Sequence, residues 1–115
     1  MSLLTTVAET EAYLAKARKV LSEAEREELV QMIAAHPDAG VIIQGTGGLR
    51  KLRIGLQGRG KRGGGRVIYW YHSTGYPAVL LWVFAKNEAS DLTATQRKLL
   101  SEQAAGLLED FGGKT

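Results

Sequence analysis

The period of apolar and polar positions changes twice along the chain, from helical to alternating and back to helical. Residues 8–19 follow a helical period, with Val7, Leu14, Ala17 and Leu21 on one stripe and Glu9, Glu11, Lys16 and Arg18 off it. Residues 3–7 are short, apolar and β-branched, and read equally as a brief strand or as the lead-in to that helix. Ser22 and Glu25 have capping-box spacing and predict a second helix, whose buried face is Leu29, Val30, Met32 and Ile33. Its start gathers Glu23, Glu25, Glu27 and Glu28 near the positive end of the helix dipole. His36-Pro37 ends it, because the residue before a proline is pushed out of the α region. The front of the chain is therefore a helical hairpin.

The middle alternates. Residues 41–43 predict a short strand, residues 49–54 a second, and residues 66–71 a third, with a glycine-rich loop over 55–65. In a strand at 49–54, Lys51 and Arg53 share one face while Arg50 and Leu52 share the other. After a turn over 72–77, residues 78–85 are apolar on both faces, as an interior strand is. Thr93 and Gln96 make another capping box, and Leu99, Leu100, Gln103, Leu107 and Leu108 mark a last helix that stops at Phe111-Gly112-Gly113. The order helix, helix, three or four strands, helix predicts one α+β domain over residues 1–115, with its helices on one face of a mainly antiparallel sheet.

Charge sharpens this outline. Between Asp38 and Glu88 there is no acidic residue, whereas Arg50, Lys51, Arg53, Arg59, Lys61, Arg62, Arg66 and Lys86 are all basic. The net charge of +3 thus hides a strongly cationic middle, which is the electrostatic footprint of a surface for phosphate backbones. Absence of cysteine excludes thiolate metal sites and thiol nucleophiles, and two histidines are too few for a typical zinc site. No cofactor and no metal is expected. No stretch is long and apolar enough to span a bilayer and no leader pattern opens the chain, so a cytoplasmic protein without membrane association is the expectation.

Two pattern matches in the basic loop fail on context. Gly55, Gly60 and Lys61 fit G-x-x-x-x-G-K, but Arg62 stands where a phosphate-binding loop needs Ser or Thr, and a strand follows where a helix is required. Gly58, Gly60 and Gly63 fit G-x-G-x-x-G, yet no acidic residue follows before Glu88 to hold a ribose. Glycines here still let a backbone approach phosphate closely. Tyr69, Trp70, Tyr71 and Trp82 have two readings, base-stacking platforms or core residues, and their strand positions favour the core. His72 falls by strand parity on the side of Arg66, either as an acid or base or as a turn histidine without a role.

Four segments together carry a resemblance: Gly45-Thr46-Gly47-Gly48-Leu49-Arg50-Lys51-Leu52-Arg53, Gly58-Arg59-Gly60-Lys61-Arg62-Gly63-Gly64, Arg66-Val67-Ile68-Tyr69 and Ala85-Lys86-Asn87-Glu88. With Asp91-Leu92-Thr93, they closely resemble the HigB branch of the RelE-like toxins of bacterial type II toxin–antitoxin systems. The resemblance implies a microbial RNase fold, with two N-terminal helices on a twisted antiparallel sheet and a C-terminal helix. It implies a messenger-RNA endoribonuclease acting in the ribosomal A site, in which RNA's own 2′-hydroxyl attacks the adjacent phosphate without a metal. It further implies silencing by a cognate helix-turn-helix antitoxin, with operator DNA bound only through that complex. The catalytic positions it carries over are Lys51, Arg53, Arg66 and Lys86, while Arg50, Arg59, Lys61, Arg62 and Asn87 would bind RNA. Some relatives have a tyrosine or histidine near the C-terminus as base; after Lys86 this chain has neither, leaving a lysine, His72 or Tyr69 as the proton acceptor. The alternative is a non-catalytic RNA- or ribosome-binding module on the same scaffold.

Overall fold

The first helix begins later than its apolar stripe predicts, and Thr10 is the reason. Its hydroxyl accepts from the Tyr13 N–H (3.2 Å) and donates to the Leu80 carbonyl (2.9 Å), so one side chain both caps the helix and ties it to a strand. In the computed structural model, which describes residues 4–55 and 64–112, strand β1 (Val7–Glu9) therefore precedes helix α1 (Glu11–Val20). Helix α2 (Glu23–Ala35) starts at the expected capping box: Ser22 accepts from the Glu25 N–H at 3.1 Å and its own N–H donates to the Glu25 carboxylate at 2.7 Å. There follow β2 (Val41–Ile42), β3 (Leu49–Ile54), β4 (Gly65–Trp70), β5 (Ala78–Ala85) and helix α3 (Ala94–Gly112).

The strands form one sheet in the order β1-β5-β4-β3-β2. Only β1 pairs in parallel, with β5; the other pairs are antiparallel. Ile68 stands opposite Trp82 and Tyr69 opposite Leu80, so Leu81 is an extra residue and β5 carries a bulge. The bulge puts both Leu81 and Trp82 on one side of the sheet, which is how a strand of eight apolar residues serves two cores.

Helices cover both faces, and this corrects the expectation of a one-sided arrangement. The hairpin packs Tyr13, Ala17, Leu29 and Ile33 against Val67, Tyr69, Leu80 and Val83. On the opposite face α3 lays Leu100 and Ala104 over Leu49, Ile68, Trp70 and Leu81. The physical reason lies in β4 and β5, whose alternate residues are apolar on both sides; either face left in water would expose several large side chains. The predicted cap of α3 is present, with the Thr93 N–H donating to Gln96 (2.9 Å) and the Gln96 N–H to Thr93 (3.1 Å).

The hairpin is locked to the sheet by Tyr69. Its hydroxyl accepts from the Gly40 N–H and donates to the Pro37 carbonyl, both at 2.8 Å. A Cβ at Gly40 would lie 2.8 Å from that ring, so only glycine lets the chain pass there. Burial pushes the Tyr69 phenol above its ordinary range.

Candidate functional site

Alternation along β3 and β4 decides which cations meet. Leu49, Lys51 and Arg53 face the α3 side, as do Arg66, Ile68 and Trp70; the hairpin side receives Leu52, Val67 and Tyr69. In the register Arg53 is directly opposite Arg66, and Arg66 in turn is opposite Phe84 of β5. Two arginines thus stand side by side on the α3-side face, at the end of the β3–β4 pair away from Leu49 and Trp70, Arg53 exposed and Arg66 half-buried. Among the described residues neither makes an ion pair, and the hydrogen bond recorded for Arg66 runs to the neighbouring Gly65 carbonyl at 3.0 Å. Like charges directly opposite each other destabilise a sheet by roughly 0.2–1 kcal/mol, so the pair is no product of folding needs.

Lys51 and Lys86 flank the arginines. The Lys86 N–H donates to the Gly64 carbonyl at 2.9 Å and extends the β4–β5 ladder by one bond, which keeps Lys86 on the side of Phe84. Asn87 is exposed in the turn that follows. Glu88 holds that turn: one carboxylate oxygen accepts from the Ala85 N–H (2.8 Å) and the other from Lys16 of α1 (2.9 Å). Lys16 also lies over the Trp82 ring, 4.9 Å from its centroid.

Lys51 donates to Asp91 at 3.2 Å. The Leu92 N–H donates to the same Asp91 oxygen at 2.8 Å, and these contacts, the backbone one first, hold the carboxyl below the usual carboxylate range. Arg97, whose guanidinium donates to the Gln44 carbonyl, adds to that effect from α3. Between Lys51, Asp91, Leu92, Arg97 and the edge strand β2 lies a cavity of about 190 Å³.

Several expected residues lie elsewhere. Arg50 is half-buried on the hairpin side, where it donates to the Asp38 (3.2 Å) and Gly40 (2.9 Å) carbonyls and sits over Tyr71. Arg59, Lys61 and Arg62 lie outside the described residues. His72 is at the far end of β4, about 20 Å along the strand direction from Arg66, beside Ser73 (2.8 Å) and the Tyr76 ring (4.4 Å between centroids). Tyr69 and Trp70 are fully buried and Tyr71 nearly so, which makes them core residues; Trp82 is half-buried under Lys16. Glu88 and Asp91 have no motif to single them out in the sequence, although they are the first carboxylates after the long acid-free stretch, two and five residues beyond Lys86.

The arrangement is a cationic face carried by β3, β4 and the turn after β5, with Arg53 and Lys86 exposed and Lys51 and Arg66 half-buried. It suits a phosphodiester, whose charge guanidinium groups bind bidentately and stabilise as it grows. Among the described residues no cluster of three or more His, Asp or Glu side chains is placed to hold a metal ion, and no helix is long and apolar enough to cross a membrane.

By fold the chain is a small α+β protein, with a helical hairpin and a C-terminal helix on opposite faces of a five-stranded sheet. A double arginine-to-alanine mutant of the Escherichia coli toxin RelE, solved in the free state, superposes with a TM-score of 0.54 at 18% identity, over 76% of this chain and 90% of that one. The family model for the RelE toxin of the RelE/RelB toxin–antitoxin system matches residues 10–112. The chain belongs to the RelE toxin family.

Proposed function

We propose that the chain is a ribosome-dependent messenger-RNA endonuclease of the HigB type, the toxin half of a type II pair. The observation that carries this reading is the directly opposed Arg53 and Arg66 on the α3-side face. A repulsive pair with no counter-ion among the described residues is suited to an anion that arrives from outside, and membership of the toxin family points to RNA as its source.

Cleavage uses the RNA's own 2′-hydroxyl as nucleophile and needs no metal. Arg66 and Lys86 stabilise the charge of the phosphorane, while Lys51 and Arg53 position the backbone. Asn87, beside Lys86, contacts the message, and Arg59, Lys61 and Arg62 contact ribosomal RNA or the message. Arg50 supports this face from behind rather than touching RNA, since its guanidinium already bonds two backbone carbonyls. A small helix-turn-helix antitoxin silences the protein in the cytoplasm, and the complex binds operator DNA.

The test is to map new 5′ ends on a defined message incubated with purified protein, with and without translating ribosomes, beside Arg66→Ala and Lys86→Ala. Cuts in codon register that appear only with ribosomes, carry 5′-hydroxyl ends and vanish in both variants are the expected result. Ribosome co-sedimentation without any cut would leave a binding module instead.

A further inference from the structure

The geometry points to Asp91 as the proton acceptor of the cleavage step, an inference that rests on the nuclease reading above. Attack by a 2′-hydroxyl needs a group to take its proton, and after Lys86 the chain has neither a tyrosine nor a histidine. The described acceptors elsewhere are poorly placed. His72 is at the far end of the sheet against Ser73 and Tyr76. Tyr69 is buried on the hairpin side with its hydroxyl already donating to Pro37. Both oxygens of Glu88 are engaged, by Ala85 and Lys16. Glu25 and Glu28 line a different cavity, of about 260 Å³, with Leu29, Met32 and Arg53, away from Lys51, and Glu25 already accepts from the Ser22 N–H.

Asp91 differs from all of these. Its Oδ1 accepts from both Lys51 Nζ and the Leu92 N–H, which fixes the orientation of the carboxylate. Its Oδ2 has no partner among the described residues, and the side chain is 60% exposed at the rim of the 190 Å³ cavity beside β2. A carboxylate anchored through one oxygen and open at the other, next to a cation that faces the two arginines' side of the sheet, is pre-oriented to take a proton; the contacts that orient it also make it a weak base, so its contribution is position rather than basicity.

Its position also suits in-line displacement. Lys51 is level with Ile68 and Trp82, whereas Lys86 lies four residues beyond Trp82 and two strands away from β3. By strand spacing and rise, the two lysines are about 16 Å apart at Cα, with Arg66 near the midpoint of the diagonal. A phosphate held at Arg66 and Arg53 therefore has Asp91 with Lys51 on one side and Lys86 on the other. Oδ2 takes the 2′-proton as the 2′-oxygen bonds to phosphorus. The bond from phosphorus to the 5′-oxygen breaks, and the Lys86 ammonium gives that oxygen a proton. The products are a 2′,3′-cyclic phosphate and a 5′-hydroxyl; the carboxylate ends neutral, the amine ends neutral, and the phosphate keeps its single charge.

Single-turnover cleavage on ribosomes, with a message carrying either the natural linkage or a 5′-bridging sulfur at the cut site, tests this. Sulfur leaves as a thiolate and needs no proton. Asp91→Asn should lower the rate by about 10²–10⁴-fold on both linkages, with ribosome co-sedimentation and the melting curve unchanged, and Asp91→Glu should recover part of the loss. Lys86→Ala should be slow on the natural linkage and recover on the sulfur one. Asp91→Asn cutting both linkages like wild type, or recovering on sulfur as Lys86→Ala does, overturns the assignment. Wild type that cuts neither linkage removes the nuclease reading and this inference with it.

Discussion

Arg50 and Arg53 are three residues apart on one strand and have opposite fates. Arg50 faces the hairpin, where its guanidinium donates to the Asp38 and Gly40 carbonyls, its Nε is buried and its plane lies over Tyr71. Arg53 faces the other way, opposite Arg66, and neither makes an ion pair among the described residues. Strand parity alone separates a cation that holds the fold together from one held ready for a ligand. Counting basic residues along the chain makes them equivalent, and the sheet makes them different.

The contrast breaks most clearly at Arg66. Arg66→Ala should lower cleavage by about 10²–10³-fold, about 2.7–4 kcal/mol of transition-state stabilisation, while chemical denaturation shows no loss of stability because a like-charge contact is relieved. Arg50→Ala should do the reverse. It removes charged hydrogen bonds worth roughly 1.5–3 kcal/mol, visible in the denaturation midpoint, and leaves the cleavage rate per folded molecule near wild type. A loss of catalysis in the still-folded Arg50 variant would collapse the distinction between the two sides.

Gly64→Ala probes the backbone that carries the ligand-facing side. Gly64 has φ +61° and a Cβ there would meet the Ile54 carbonyl oxygen at 2.0 Å, so roughly 1–3 kcal/mol of destabilisation is expected by denaturation. The hairpin side responds to alkali instead. Burial raises both Tyr13 and Tyr69 above the ordinary value of 10.0, so their contribution is complete below pH 10 and is lost as pH rises through the folded values. A melting temperature that falls above pH 10, and falls less in Tyr69→Phe, checks the sign. Smallest is Lys16→Ala, which removes a partly exposed ion pair and should cost no more than about 1 kcal/mol.

Much of this was legible beforehand, because capping boxes and strand alternation are local. The Ser22–Glu25 and Thr93–Gln96 pairs lie where the sequence puts them, and β3 spans the expected residues. What escaped is non-local. Strand β1 has three residues and exists through pairing with β5, seventy positions away. The side on which α3 packs depends on which face the hairpin leaves open, and its buried residues are Leu100 and Ala104, whereas Leu99 and Leu108 stay exposed. At the site, parity puts Lys51 and Arg53 on one face, but that they border different cavities, the Arg53–Arg66 register and the approach of Asp91 to Lys51 all required the folded sheet and its helices to be known.

The bulge at Leu81 has a meaning beyond packing. It works as a phase shift, since odd-numbered residues face α3 before it and even-numbered ones after it. Paired without that shift, the same sequence would send Val83 and Ala85 toward α3 and turn Phe84 and Lys86 to the hairpin side. One unpaired residue in the middle of a strand thus sets the handedness with which a lysine five positions later meets the rest of its site.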